Sequence, residues 1–521
     1  MHRPHSQPPS RSVTPRTEVY GADFLQLTVD DAPKGELSGW LAGQLRRAIS
    51  DGRLPVGSRL PATRTLAAEL HVSRGVVTEA YQRLTEDGHV AGHGRAGTTV
   101  VAAPVSVPER RAPVRQFGAP PTTTTGTAAR TPFTDQPGPD VFDVVRATPA
   151  RVDLSPGVPD LASFPRAAWL RAERAVLGTL AASDFGYGDP RGTPALRQAV
   201  ANWLARNRGI TVDPGRIVVV AGTAQTLGLL AQVLTRHGIS DVAVEDPGSL
   251  GARQHLRHWG MRTPPVPVDA DGIRVDALRA DGAPAVLVTP AHQFPTGVVL
   301  GGERRRELMA WAQDGGLIIE DDYDAEHRYD RPPVAALRSM LAEHVCYAGS
   351  VSKLLAPALR VGWVVVPAEY HDALVDAKRF TDLGNAALPQ LALAHLMESG
   401  ELERLLRTLR RRHRARRDAM IAAVAEHLPG AVVRGAAAGL HLTVTFDAPT
   451  TGGGVTDPGI TDTALATAAL AHGVKVQPLS WHSQTPQPPG LVLGYAASTP
   501  TAIADGIAGI GRALRSVWGV L

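Results

Sequence analysis

The sequence predicts an α/β protein in two parts: a small, mainly α-helical N-terminal module and a larger domain built on a mostly parallel sheet. From about residue 151 onward, the short aliphatic runs "RIVVV", "DVAVE", "AVLVTP", "GLIIED" and "GWVVVP" alternate with longer amphipathic segments. Strands that are apolar on both faces belong to sheets covered by helices, and the alternation argues for parallel pairing. Residues 35–102 follow another pattern, with three stretches at helical spacing, a Gly-rich turn and one β-branched run. Between the two parts lies "APVSVPERRAPVRQFGAPPTTTTGTAARTPFTDQPGPD", dense in Pro, Thr and Gly and without hydrophobic periodicity. That composition reads as a linker.

The expected organisation is therefore a disordered tail (1–22), a helical module (23–102), a linker (103–150), a large domain (151–384) and a C-terminal helix with a small α+β domain (385–521). Of the 521 residues, 43% are hydrophobic and 20% charged, which excludes a disordered or fibrous chain. The single cysteine, Cys346, excludes an intrachain disulfide framework and a multi-cysteine metal site, and no metal is expected. No apolar run approaches the roughly 18 residues of a membrane span, and the N-terminus has no apolar signal core, so a cytoplasmic location is expected. Residues 1–115 hold 15 Lys/Arg and 11 Asp/Glu, so 15 − 11 = +4, the whole net charge of the chain. A basic module joined to a near-neutral body is compatible with a nucleic-acid partner.

In the module, "ELSGWLAGQLRRAISDGRL" and "PATRTLAAEL" read as two helices, with Pro61 near the start of the second. A third follows in "HVSRGVVTEAYQRLTEDGHV", where Ser73 is placed as N-cap and Val76, Val77, Ala80, Tyr81 and Leu84 form an inner face. With the following "AGHGRAGTTVVAA" as a hairpin, this describes a winged helix-turn-helix, whose third helix enters the major groove by its N-terminal end. Arg74 at that tip suits bidentate pairing to guanine, Gly75 allows close backbone approach, and Arg64 suits a phosphate. The run "LPATRTLAAELHVSRGVVTEAYQRLTEDGHV" closely resembles the winged helix-turn-helix of the GntR family of bacterial transcription regulators. The resemblance implies double-stranded DNA as a partner, contacted by Arg64, Ser73, Arg74, Gly75 and Val76, with His93, Gly94 and Arg95 on the wing.

In the large domain, "AGTAQTLGLL" sets Gly222, Thr223, Ala224 and Gln225 after a strand and at a helix start, where N–H groups and the helix dipole attract anions. "LIIEDDYDAEH" ends a strand in carboxylates and a tyrosine, suited to a ligand's protonated ring nitrogen. "GSVSKLLAPALRVGW" places Lys353 between Ser350, Ser352 and Arg360, an amine with phosphate-binding company. These stretches resemble, in their order, the fold-type I aminotransferases over about 360 residues.

That resemblance implies pyridoxal 5′-phosphate (PLP) as cofactor and Lys353 as the Schiff-base lysine. Ser350, Ser352, Arg360 and Thr223, with the backbone of Gly222 and Ala224, match phosphate ligands. Asp321 matches the partner of the ring nitrogen, with the adjacent Asp322 as the competing reading. Tyr323 matches a phenol near the ring hydroxyl, His292 or Gln293 stands near the same oxygen, and Tyr187 matches a tyrosine that crosses from the second subunit of a homodimer.

A GntR-type reader joined by a linker to an aminotransferase-like domain resembles the MocR subfamily, dimeric regulators that use the second domain as a sensor. PdxR-type members respond to PLP and control vitamin B6 synthesis; GabR-type members also sense an amino compound that reacts with bound PLP. Two departures bear on that choice. The subfamily's aromatic residue after the glycine of "EDPGSLGARQHLRHWG" is here Ser249. The C-terminal arginine that clamps a substrate carboxylate is missing from "PGLVLGYAAS", with Arg434 as a remote substitute. The expected function is a PLP-responsive regulator with reduced catalysis; a working aminotransferase and a sensor of an amino compound are the alternatives. The eight arginines from Arg404 to Arg417 read first as one solvated helix face, and second as a contact to the DNA backbone.

Overall fold

Helical spacing in the first unit is realised as α1 (Leu37–Ser50), α2 (Thr63–Glu69) and α3 (Arg74–Glu86), followed by the antiparallel strands β1 (Val90–Gly92) and β2 (Thr98–Val100). The computed structural model describes residues 37–50, 53–92, 97–101, 132–329, 334–446 and 461–518, with a few isolated positions besides. It divides into two compact units, 1–126 and 127–521. The expected tail and wing residues His93, Gly94 and Arg95 lie outside the described residues.

In the first unit Leu41, Leu45, Leu54, Leu66, Val77 and Leu84 are fully buried, each contributing about 1.5–3 kcal/mol of transfer free energy. Val77, Ala80, Tyr81 and Leu84 form the buried face of α3, and Val76 is half-buried beside them. The chain at 57–60 adds a third strand to the hairpin: the Gly57 and Leu60 N–H groups donate to Val100 and Thr98 carbonyls, and the Val100 N–H donates to Ser58.

The second unit carries β3 (Val152–Asp153) and then the strands of an eight-stranded sheet: β4 (Val218–Val220), β5 (Val242–Asp246), β6 (Pro265–Asp269), β7 (Gly272–Ile273), β8 (Ala285–Val288), β9 (Leu317–Asp322), β10 (Val345–Ser350) and β11 (Gly362–Val365). Their spatial order is β4-β11-β10-β9-β8-β5-β6-β7. The pairs β10–β9, β9–β8, β8–β5 and β5–β6 are parallel; β11 runs antiparallel to both of its neighbours, and β7 to β6. Because β11 reverses direction, the connection 351–361 begins and ends at the carboxyl edge of the sheet, where ligands of open α/β sheets bind. Helices on both faces bury it, so most of its strand residues are inaccessible.

The C-terminal part continues with β12 (Val432–Arg434), β13 (His441–Thr445), the two-residue pair β14 (Thr450–Thr451) and β15 (Val455–Thr456), β16 (Val474–Lys475), β17 (Gln477–Pro478) and β18 (Gly490–Gly494). An antiparallel sheet β12-β13-β18-β17 packs on the helix Asp462–Ala471 and shares one hydrophobic core with the helices Glu401–His427 and Pro500–Trp518. The linker reading needs correction from residue 132 onward. Phe133 stacks on Trp481 at 5.6 Å, Val141 and Val145 line one face of the helix Val141–Ala147, and β3 pairs in parallel with β16. Four prolines (Pro132, Pro137, Pro139 and Pro149) and a seven-residue helix hid this segment, since about two turns of amphipathic spacing are too short to stand out. No helix of the described residues is long and apolar enough to cross a membrane.

Candidate functional site

Strand register brings the predicted residues to one edge. Ser350 pairs with Gly362, Gly362 with Val220, and Gly349 with Asp322, so the ends of β4, β9 and β10 and the start of β11 form one row. Gly222 follows β4 with φ +90°, a conformation that favours glycine, and opens the helix Thr223–Arg236. A Cβ at Gly222 would lie 3.8 Å from both Arg360 Nη1 and Ser352 Oγ. The Thr223 and Ala224 N–H groups of the first turn have no partner within the helix. Guanidinium, hydroxyl and first-turn N–H groups thus converge on a space suited to a phosphate-sized anion. Arg360 adopts a left-handed conformation at φ +52°, strain of about 1–3 kcal/mol that is tolerated where function fixes a side chain. Ser350 is buried, and its Oγ accepts the Ser352 N–H at 3.4 Å.

The Asp321–Asp322 ambiguity resolves by strand alternation. Asp322 faces the core, where it pairs with Arg208 at 2.5 Å and accepts the Tyr347 hydroxyl. Asp321 faces the other way and accepts the Thr223 hydroxyl at 3.3 Å, so that hydroxyl serves the carboxylate more directly than the anion space. Burial, followed by the charge of Asp322, pushes the Asp321 carboxyl up to about 7. Lys353 is half-buried; its amine donates to the Gly157 carbonyl, and burial lowers its pKa although Asp324 and Asp321 oppose the shift. A lysine held toward its neutral form is the nucleophile that carbonyl chemistry needs.

Tyr323 donates to the His292 carbonyl at 3.0 Å, and its oxygen lies 3.0 Å from His292 Nδ1. That ring nitrogen also meets Asp324 at 2.9 Å. Gln293 is engaged elsewhere: its amide nitrogen donates to the Pro247 and Phe294 carbonyls, and its oxygen accepts from Thr296. His292, not Gln293, therefore stands beside Tyr323. Gln225 holds the turn, accepting the Ala221 N–H at 2.7 Å. Ser249 caps the helix Leu250–His258 by accepting the Ala252 N–H. Tyr187 is 95% exposed and reaches none of these groups within its own chain.

Four participants escaped the sequence reading: Gly157, Asp324, Phe294 and His441. Phe294 packs edge-on against Tyr323, His441 and His482 at 6.2, 5.0 and 4.9 Å. His292, Asp324 and His441 each offer a ligand atom within 4.8 Å of the others. Asp324 is hydrogen-bonded to His292 Nδ1 and His441 to the Pro295 carbonyl, while His292 Nε2 is buried without a hydrogen-bond partner among the described residues. Only the local "DDYD" acidity hinted at Asp324; nothing in sequence joins it to residues 292 and 441.

Asp321 makes a titration prediction. A carboxyl whose folded pKa lies above its unfolded value near 3.8 binds a proton on folding between the two values, so stability falls as pH rises from about 4 to about 7. Asp321→Asn is expected to remove about one proton from that linkage, roughly 1.4 kcal/mol per pH unit crossed. Urea midpoints of ligand-free protein at pH 5, 6, 7 and 8 check it; parallel slopes for both proteins contradict the raised pKa.

Residues 37–100 match the GntR family of bacterial regulatory proteins, and residues 151–500 match the aminotransferase class I and II family. The probable rhizopine catabolism regulatory protein MocR of Rhizobium meliloti is 31% identical over 482 residues, covering 91% of this chain and 92% of its own. The chain belongs to the MocR subfamily of GntR-type transcription regulators. PdxR of Corynebacterium glutamicum, a pyridoxine biosynthesis regulator, is 31% identical over 415 residues, 78% of this chain and 83% of its own. Among solved structures, the α-aminoadipate aminotransferase LysN of Thermus thermophilus, complexed with N-(5′-phosphopyridoxyl)-L-leucine, superposes with a TM-score of 0.64 at 26% identity, covering 73% of this chain and 95% of its own. This MocR-type chain thus joins a GntR reader to a fold-type I aminotransferase fold.

In that MocR frame the reader presents its predicted contacts to solvent. Arg64, Ser73, Arg74 and Gly75 are exposed, and Ser73 occupies the N-cap of α3 without using its hydroxyl there. Arg74 Nε donates to Thr63 Oγ1 at 3.3 Å. The arginine-rich helix meets the expectation of a solvated face in part. Arg404, Arg407, Arg411, Arg412 and Arg414 are exposed, but Arg410 and Arg414 also donate to the Glu326 and Tyr329 carbonyls. Arg416 pairs with Asp160 at 2.9 Å and reaches the Ala496 carbonyl, while Arg412 meets Asp160 and Ser163. These side chains staple the helix Glu401–His427 to the loops around the site.

Proposed function

We propose that this chain is a DNA-binding transcription regulator that responds to PLP, controls vitamin B6 biosynthesis genes and acts as a homodimer. One observation carries the choice of effector. The anion cradle, Lys353 and Asp321 are assembled, yet no arginine occurs between Arg434 and Arg512 to clamp a substrate carboxylate. Arg434 is exposed on the edge strand β12, and the Tyr495 hydroxyl, next to where the clamp would stand, donates to the Gly439 carbonyl. A site without that clamp holds PLP but orients an amino acid poorly.

The residues present suit the group. Ser350, Ser352, Arg360 and the Thr223 and Ala224 N–H groups would hold the phosphate, Asp321 the protonated ring nitrogen, and Tyr323 with His292 the ring hydroxyl. When bound, PLP supplies an aldehyde that reacts with amines. Lys353 offers the amine, and the Gly157 carbonyl orients it before reaction. A second copy of the chain is supported by exposed Phe185, Tyr187, Phe380 and Leu383. Their two segments adjoin, since a Cβ at Gly384 would lie 3.3 Å from Pro190. The name of the Corynebacterium relative supports vitamin B6 genes as the target.

The test is fluorescence anisotropy on duplex DNA from immediately upstream of the gene, with and without PLP. The expected outcome is an affinity that changes at least several-fold with PLP and no amino transfer from common amino acids to a keto acid. PLP-independent binding overturns the sensor reading. Steady turnover establishes the enzyme alternative.

A further inference from the structure

We infer that Arg59 is an additional contact to a DNA phosphate, held at the base of the wing between the hairpin and the recognition tip. The inference rests on the reading of the first unit as a DNA reader and adds a residue that neither the motif nor α3 supplies.

Arg59 lies in "GSRLP", before the motif helices begin. Its strand is edge-paired to β2, with Arg59 opposite Thr99. Alternation decides where the side chains go. Ser58 and Leu60 are buried at 8% and 2%, and Arg59 between them turns to the other face, half-buried. There the guanidinium lies against Gly97, the first described residue after the wing tip. A Cβ at Gly97 would come 2.6 Å from Arg59 Nε, 2.9 Å from Nη2 and 3.2 Å from Cζ, and Gly97 has φ +90°. The backbone conformation favours glycine, and a side chain there would displace the Arg59 guanidinium.

The guanidinium opens into a cavity of about 510 Å³ whose wall includes Thr63, Glu69, Tyr81 and Thr98. Thr63 is the residue that receives the hydrogen bond of Arg74, so the cavity borders the recognition tip on one side and the wing on the other. Glu69 on this wall has a partner of its own. The Tyr81 hydroxyl donates to the Pro61 carbonyl at 2.9 Å. Arg59, by contrast, makes no hydrogen bond or ion pair among the described residues, although an arginine carries five donors. A half-buried cation, unpaired among the described residues and placed between the recognition tip and the hairpin, suits a backbone phosphate, to which guanidinium geometry is matched.

The experiment uses the full-length protein and two duplexes, the upstream fragment and a scrambled one of equal length, with anisotropy measured from 50 to 300 mM salt. Arg59→Gln and Arg59→Ala are expected to weaken binding to both duplexes by a similar factor, on the order of tenfold, and to reduce the slope of log K against log salt by about 1. Arg59→Lys is expected to retain most of the slope, because the charge remains. Equal thermal melting of wild type and Arg59→Gln separates this from loss of fold. An unchanged slope with an intact fold overturns the inference, as does a loss confined to the upstream fragment, which marks a base contact. If wild type binds neither duplex, the DNA-reader reading fails together with it.

Discussion

Replacing Lys353 by alanine is expected to abolish the visible absorption that PLP acquires in the wild-type protein and to uncouple DNA binding from PLP. The side chain is the only amine described at the carboxyl edge formed by β4, β9 and β10, and it already points at the Gly157 carbonyl with its pKa lowered by burial. Removing it deletes the nucleophile while leaving the cradle of Gly222, Ser352 and Arg360 and the carboxylate of Asp321 in place. Phosphate affinity survives in part; the covalent contribution does not. At a PLP concentration 100-fold above Kd, wild type gains about 2.7 kcal/mol of stability. A variant bound a hundredfold more weakly gains less than about 0.5 kcal/mol by the same relation. Thermal melts and spectra with and without PLP measure both effects, and the anisotropy assay adds the DNA readout. A variant that still responds to PLP like wild type would show that the phosphate cradle alone drives the switch.

What sequence could and could not reveal follows from the range of each signal. The strands were legible because burial on both faces leaves runs such as "RIVVV" and "GLIIED". The reader was legible because its apolar spacing and turn residues are local. The choice between Asp321 and Asp322 was closed to sequence, since it depends on which face of β9 meets Arg208. The competition between His292 and Gln293 depended on the turn at Phe294–Thr296, whose carbonyl and N–H groups engage the glutamine. Asp324, Phe294 and His441 were missed because their meeting joins β8, β9 and β13, segments more than a hundred residues apart in part. The arginine-rich helix, solvated over five of its eight arginines, hid its tertiary contacts for a related reason. Charge periodicity along one helix is silent about carbonyls offered by other segments, and Arg410, Arg414 and Arg416 find theirs at Glu326, Tyr329 and Ala496.

That helix also bears on the difference between sensor and catalyst. Asp160, in the loop that follows Gly157, is buried and held by Arg416, while Gly157 receives the Lys353 amine. The segment covering the lysine is thereby tied to the helix Glu401–His427 by an ion pair. In the same region Gly439, at φ +83°, accepts hydrogen bonds from both Tyr329 and Tyr495 at 2.7 Å. A Cβ there would overlap the His292 ring at 1.9 Å. The ring beside Tyr323 is thus seated directly on the C-terminal part, which gives the site a second mechanical link to it.

Behind the site, Arg208→Ala is expected to destabilise the second unit by about 3–5 kcal/mol, because it strands buried acids without their cation. Arg208 is 2% exposed; its Nε pairs with Asp322 at 2.5 Å and its Nη1 donates to the Val334 carbonyl. Tyr347 completes the cluster through Asp322, and Glu320 and Glu326 lie within its field. Burial pushes both glutamates up to about 7, and the Arg208 charge opposes that rise. Removing the arginine raises them further, so the folded variant binds more protons than the unfolded chain over a wider range. Stability then falls more steeply with rising pH than in wild type, and the deficit is largest near pH 8 and shrinks toward pH 5.5. Adding Asp322→Asn to Arg208→Met is expected to cost less than Arg208→Ala alone, since neither charge is left unpaired. Urea denaturation of the three proteins at pH 5.5, 7 and 8 measures the pattern. A deficit independent of pH, or a double variant weaker than the single one, would assign the role of Arg208 to packing instead of charge.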